Sequence, residues 1–182
     1  SQKRAVKLLS AATKSIGRTA GAEAAEIALQ NMLSQYEMIL QQRCELEILM
    51  QELLLRVPNA SKILQIKGMG MLTAAIIVSE IGDIKRFKDP RQILKMAGLN
   101  LRENSSGKHK GKTTISKRGR RRLREGLFNV MIAILAHNEE FRQLHQRNLT
   151  RAKNPLNKMQ SIIALCGKLI RVLYALLTKG CE

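Results

Sequence analysis

Leu29, Met32, Tyr36, Ile39, Arg43, Leu46, Met50 and Leu53 recur at alternating spacings of three and four. That is a heptad seam, and it commits the stretch from about Ala22 to Arg56 to one long helix. Leu33, Leu40 and Leu54 add a second ridge beside the seam, Arg43 interrupts it once, and Val57-Pro58-Asn59 ends the helix. Such a seam packs either on its own domain or on a second helix of the same kind. A helix this long in so small a chain is only partly supported by the rest, so the expectation is a coiled-coil or helical-hairpin homodimer.

The remainder is also helical in pattern. The chain has 182 residues, 45% of them apolar and only 3% aromatic, with no Trp. A core must therefore be built from Leu, Ile, Ala and Met, a composition that favours helices over sheets. Residues Lys3 to Ile16 read as a short basic helix ending at Gly17. A helix is expected from Asp89-Pro90 to Gly98, with Asp89 as N-cap and Pro90 in the first turn. Further helices are expected over about Arg120–Ala136, Glu139–Arg151 and Leu156–Leu177. No segment of useful length has strand period. The expected architecture is all-α: a linker with a short helix (1–21), a long coiled-coil helix (22–57) and a compact helical domain (58–182). The opening Ser1, already inside a helical pattern, is what a piece of a longer chain would show.

Net charge is +18, from 32 Lys+Arg against 14 Asp+Glu, which predicts a phosphate-rich partner and salt-sensitive binding. The cations concentrate between Asn104 and Gly126: Lys108, Lys110, Lys112, Lys117, Arg118, Arg120, Arg121, Arg122 and Arg124, with Glu125 the only acid. An arbitrary charge run is most often a solvated loop. Here glycines are spaced as turns, hydroxyl residues (Ser105, Ser106, Ser116) are interleaved, and a helical pattern starts at the far end. Arginines in the first turns of that helix oppose its dipole, a cost that phosphates would offset. The stretch before the helix reads as a basic loop that binds nucleic acid. Its serines are either phosphate hydrogen-bond donors or, with cations to support a phosphoryl transition state, nucleophiles. His109 is the one nearby base.

A second candidate is Ile63-Leu64-Gln65-Ile66-Lys67-Gly68-Met69-Gly70-Met71-Leu72-Thr73-Ala74-Ala75, two apolar helix ends around a Gly-x-Gly turn. It matches a helix-hairpin-helix, in which Gly68 and Gly70 let the backbone approach a phosphate and the next helix start, with Thr73, holds it. The plainer reading is an ordinary tight helix–helix turn. Metal chemistry has little support: His137, Glu139, Glu140 and His145 fit no familiar spacing, and Glu80 and Asp83 read as a helix-end carboxylate and a cap. Cys44, Cys166 and Cys181 show neither metal nor disulfide spacing, as in a reducing cytoplasm. The apolar run Ser161–Leu177 is interrupted by Lys168 and Arg171, so no membrane span is expected.

Taken in order, Ile66-x-Gly68-x-Gly70-x-x-Thr73-Ala74-Ala75, Glu80-Ile81-Gly82-Asp83-Ile84-x-x-Phe87, Ala97-Gly98-Leu99, Ser106-Gly107-Lys108, Gly111-Lys112, Ile115-Ser116-Lys117-Arg118-Gly119, Leu123-Arg124 and Lys168-Leu169-Ile170 form a series. The series resembles the C-terminal transposase domain of the "one-ten" family of bacterial insertion sequences, which includes the Piv-type DNA invertases. The resemblance implies a DNA recombinase, guided in part of the family by a bridge RNA. It implies work with an N-terminal RuvC-like domain whose four acidic residues bind a divalent metal such as magnesium. The serine before the family's glycine maps to Ser106, implied to attack DNA and form a phosphoserine link; Ser105 stays as its neighbouring candidate. Arg120 departs from the family's Asn after Lys-x-Gly. Without the RuvC-like domain, the chain is expected to bind DNA but not to complete strand exchange. The setting implied is the bacterial cytoplasm, with a higher oligomer on DNA possible. The competing reading is a non-catalytic nucleic-acid-binding module, and a basic ribosome-associated helical protein is a distant third.

Overall fold

The computed structural model describes residues 2–17, 20–102, 105–106, 109–110 and 113–179, the ribbon residues 105–106 and 109–110 by backbone alone. It is all-α apart from four two-residue strands. The chain divides into two compact units, residues 1–46 and 47–182.

The first unit holds α1 (Gln2–Thr13) and most of α2 (Ala22–Leu55). Helix α1 stops at Thr13 and passes into a turn at Lys14 and Ser15, short of the expected end at Gly17. Along α2 the seam residues Leu29, Met32, Tyr36, Ile39, Leu46 and Leu53 are exposed, and of the whole helix only Leu54 is buried.

The second unit is built around α8 (Lys158–Lys179). This helix buries Leu165, Cys166, Leu169, Ile170, Leu173 and Leu177 and packs on α3 (Ala60–Leu64), α5 (Pro90–Met96), α6 (Arg121–His137) and α7 (Glu139–Thr150). It is long and apolar enough to cross a membrane by composition, but those buried side chains mark it as the core helix. Helix α6 presents Leu123, Leu127, Val130, Met131 and Ile134 to the same core at spacings of three and four. It also packs on α7 and on α4 (Met71–Ile81), which buries Ala74, Ile77, Val78 and Ile81. Full burial of side chains of this size contributes about 1.5–3 kcal/mol each, so α6 and α8 carry much of the stability.

Local signals set the ends. Asp89 accepts a hydrogen bond from the Arg91 amide at 2.7 Å and Pro90 opens α5, as the Asp-Pro pair predicts. Asp83 accepts from the Lys85 amide and starts a 3-10 turn, Ile84–Arg86, after Gly82 closes α4. Asn138 caps α7 through its side-chain oxygen and the Phe141 amide, 3.2 Å apart.

The expected basic loop is instead a β-ribbon in two tiers. Strand β1 (Leu101–Arg102) pairs antiparallel with β4 (Thr114–Ile115), Leu101 facing Ile115 and Arg102 facing Thr114. Farther out, β2 (Ser105–Ser106) pairs antiparallel with β3 (His109–Lys110), Ser105 facing Lys110 and Ser106 facing His109.

Candidate nucleic-acid interface

The ribbon stands on a knot of backbone hydrogen bonds between the end of α5 and the start of α6. The Ser116 amide donates to Asn100 O at 2.8 Å, Lys117 to Gly98 O at 3.0 Å and Arg120 to Met96 O at 2.7 Å. The two limbs run so close here that glycine is required on both. A Cβ on Gly98 (φ +69) would lie 2.8 Å from Arg118 O, and one on Gly119 (φ +141) would lie 2.2 Å from Met96 O. Lys117 itself holds φ +54, a left-handed conformation that lysine rarely adopts.

The four arginines between positions 120 and 124 divide into two pairs. Arg120, exposed, and Arg124, half-buried, are engaged by other groups of the protein. Arg120 Nη1 donates to Glu80 O at 2.6 Å, at the end of α4, and lies 3.7 Å from the Glu80 carboxylate. Arg124 Nη1 donates to Ala97 O at 3.0 Å and to Lys117 O at 3.3 Å, half-buried against the α5 end and the turn. Each guanidinium satisfies helix-end carbonyls that lack an intrahelical partner. Arg121 and Arg122 are exposed, and neither has an ion pair or side-chain hydrogen bond among the described residues. Lys117 and Arg118 are exposed beside them, and Ser116 is half-buried. Lys110, Ser105 and Ser106 are placed by backbone register alone; Lys108 and Lys112 lie outside the described residues.

The Gly-x-Gly turn connects α3 to α4. Gly68 (φ +93) faces the backbone of α6: a Cβ there would lie 2.7 Å from Ala133 O and from Ile134 Cα. Its missing side chain is therefore demanded by packing. Gly70 differs, since a Cβ there would meet nothing within 4 Å. It is the N-cap of α4 in an extended conformation, with no side chain capping the helix, and Thr73 is half-buried in the first turn. Of the three residues, Gly70 leaves the most room for an approaching phosphate.

Other clusters of reactive side chains are structural. His145 Nδ1 is 2.8 Å from Ser161 Oγ, and Asn148 Nδ2 donates to the same oxygen at 3.1 Å. Ser161 is fully buried, so this serine–histidine pair fastens α7 to α8 and cannot meet a substrate. Burial pushes the Cys166 thiol up to about 12, which suppresses thiolate chemistry at neutral pH. Among the described residues no three His, Cys, Asp or Glu side chains cluster as metal ligands do.

Residues 60–146, which span the Gly-x-Gly turn, the ribbon and α6, match the family model described as "Transposase IS116/IS110/IS902 family". The chain is 31% identical over 121 residues to the "Transposase for insertion sequence element IS1111A" of Coxiella burnetii, covering 66% of this chain and 33% of that protein. It is 30% identical over 121 residues to the "Probable family 20 transposase" of Pseudomonas aeruginosa, covering 65% and 35%. To the "Insertion element IS110 uncharacterized 43.6 kDa protein" of Streptomyces coelicolor it is 26% identical over 155 residues, covering 85% and 38%. The chain thus spans about a third of the length of the curated relatives it matches.

Proposed function

The chain carries a transposase domain of the IS116/IS110/IS902 family, and from that premise we propose that it is the DNA-binding and strand-joining part of a recombinase that uses Ser106 as nucleophile. The observation that supports this reading best is the two-tiered ribbon: it holds Ser105 and Ser106 at its outer tier and roots them beside the exposed cations Lys117, Arg118, Arg121 and Arg122. In the step proposed, Ser106 Oγ bonds to a DNA phosphorus, the bond from that phosphorus to a deoxyribose oxygen breaks, and the serine proton passes to a base while the leaving oxygen takes one up. His109 faces Ser106 in the ribbon register and is the nearest residue in that register able to accept a proton. Cations around the loop offset the charge that develops on the phosphate. A divalent metal belongs, on this reading, to an acidic RuvC-like domain outside these residues. The chain alone therefore binds DNA without completing exchange, and a bridge RNA is a further expected partner of the intact protein in the bacterial cytoplasm.

Covalent capture tests the reading. Full-length protein is incubated with end-labelled donor and target DNA and resolved on a denaturing gel; an active protein that yields no serine-linked adduct refutes it. The non-catalytic alternative, a phosphate-cradling module, is what would remain.

The split among the arginines has its own consequence. Replacing Arg121 and Arg122 with Gln should weaken DNA binding equally at all sequences. It should also lower the slope of log K against log salt by about 2, at roughly 0.9 for each phosphate no longer neutralised. Replacing Arg124 with Gln should leave that slope nearly unchanged. It should instead cost about 1–3 kcal/mol of stability, because the Ala97 and Lys117 carbonyls lose their donor. Salt-titrated binding beside thermal unfolding separates the two, and equal slopes for both variants would contradict the division.

The exposed seam of α2 supports a homodimer through that helix, because covering it with the same seam of a second copy buries apolar side chains that the chain itself leaves in water. Sedimentation of the chain at micromolar concentration should give a dimer. A monomer throughout that range would remove α2 as a self-association surface.

A further inference from the structure

We propose a second DNA contact, remote from the arginines of α6: a basic groove at the root of the ribbon that holds the backbone of the reacting DNA strand a few nucleotides from the phosphate that Ser106 attacks. The groove, of about 540 Å³, lies between α5, the start of β1 and α8. Arg91 and Lys95 stand on one face of α5 at i and i+4, and Arg171 reaches in from α8. No carboxylate lines it. All three cations are exposed, and none has an ion pair or side-chain hydrogen bond among the described residues. Lys168, exposed one turn earlier on α8, adds a fourth charge on the side of Arg171. This is the exposed member of the Lys168-Leu169-Ile170 series, whose other two residues are buried.

The shape fits a polymer of phosphates and sugars better than free anions. Gly167 lies where α8 meets α5, and a Cβ there would make an ordinary contact, 3.4 Å from Leu94 Cδ1. Leu94 and Leu101 form apolar walls, and Leu101 is 72% exposed, a large apolar side chain left in water between cations. Cations at the rim suit phosphates, and the leucines suit the sugar and base surfaces between them. Aromatic side chains are not needed for such a contact.

The wall also identifies the occupant. Leu101 begins β1, and the same limb reaches Ser105 and Ser106 a few residues on. A strand lying along this limb is the strand presented to the serine, which is DNA. That assignment rests on the nucleophile reading; the groove's affinity for phosphodiester backbone does not. From Leu101 to Ser106 the chain spans at most about 18 Å, at about 3.3–3.6 Å per residue. With a rise of about 3.4 Å along the duplex axis for each phosphate of one strand, the groove falls within about five phosphates of the attacked one.

The test uses the full-length protein carrying Arg91→Gln, Lys95→Gln and Arg171→Gln together. Binding is titrated against salt with a duplex bearing the element's end and, separately, with an RNA hairpin of similar length. The expected result is a fall of about 2–3 in the salt slope for DNA, at about 0.9 per phosphate, with little change for RNA and unchanged thermal unfolding. A control triple, Arg147→Gln, Lys153→Gln and Lys158→Gln, removes the same charge from exposed positions elsewhere and should leave the slope unaltered. A slope that falls only for RNA overturns the DNA assignment. An unchanged DNA slope, or an equal fall in the control, overturns the groove. Methylphosphonates placed along the DNA should weaken wild type most within about five positions of the serine-linked phosphate and should not weaken the groove variant further; interference elsewhere overturns the placement. Because the slope reads binding alone, failure to capture a serine adduct removes the nucleophile and leaves the groove standing.

Discussion

Ser106→Ala in the full-length protein should abolish the covalent protein–DNA adduct, a loss on the order of 10⁴-fold or more, if Ser106 supplies the attacking atom as proposed. DNA affinity changes by about 1 kcal/mol at most, or roughly fivefold, the worth of one hydroxyl hydrogen bond. The two numbers diverge because binding and bond formation draw on different groups. Affinity is summed over many phosphate contacts, none of which the serine dominates. Adduct formation requires one oxygen, and two other serines are poorly placed to supply it: Ser116 lies at the half-buried root of the ribbon, and Ser161 is sealed in the core. Ser105 is the control. It is adjacent in the chain, but the register pairs it with Lys110 where Ser106 pairs with His109. Ser105→Ala should therefore retain the adduct. A gel in which Ser106→Ala still forms adduct, or in which only Ser105→Ala loses it, ends the assignment to Ser106. A Ser106→Ala variant whose affinity collapses along with the adduct would make the serine a binding residue.

The helices were legible because each has a buried face, and a buried face leaves a period. Leu123, Leu127, Val130, Met131 and Ile134 repeat at helical spacing because α8 and α4 lie against them. The Asp89-Pro90 start was legible because capping is chemistry between neighbours. The ribbon was not legible. Its strands are two residues long, and the outer tier, Ser-Ser against His-Lys, has no apolar alternation. Its root is fixed by hydrogen bonds from residues 116–120 back to residues 96–100, which no local pattern announces. Charge misled in a similar way. Arg120, Arg121, Arg122 and Arg124 are equivalent in composition, yet two reach back to carbonyls at helix ends and two have no side-chain partner among the described residues. The signal that could have separated them is position: Leu123 and Leu127 fix the buried face of α6, and Arg120 and Arg124 border it at i−3 and i+1 of Leu123. Gly68 drew attention as a phosphate-binding glycine, whereas the backbone of α6 already requires it.

The same root sets the largest expected effect on stability. Gly119→Ala places a methyl group 2.2 Å from Met96 O, 2.9 Å from Met96 C and 3.0 Å from Gly98 N, at a φ of +141 that L side chains rarely adopt. All three neighbours are backbone, so no side chain can swing away, and the limbs must separate. Overpacking costs about 1–3 kcal/mol and a disfavoured φ about 1–3 more, so a loss of roughly 3–5 kcal/mol is expected from a total of about 5–15. Separation of the limbs would also lengthen the Arg120–Met96 and Lys117–Gly98 hydrogen bonds and draw Arg124 off Ala97 O. Damage should therefore concentrate where the ribbon joins the helices, and α6, α7 and α8 should keep their packing until global unfolding. Chemical denaturation measures the total, and amide exchange places it: in the variant, the amides of Ser116, Lys117 and Arg120 should exchange far faster, while those in the middle of α8 should change only as global stability does. Gly70→Ala is the matched comparison, because its Cβ meets nothing within 4 Å and its φ of −77 suits alanine. It should cost only about 0.5–1 kcal/mol, the difference between Gly and Ala at an N-cap. Equal losses at positions 70 and 119 would mean that the close approach of the limbs is not what holds the ribbon, and that Ser106 is positioned by something other than its root.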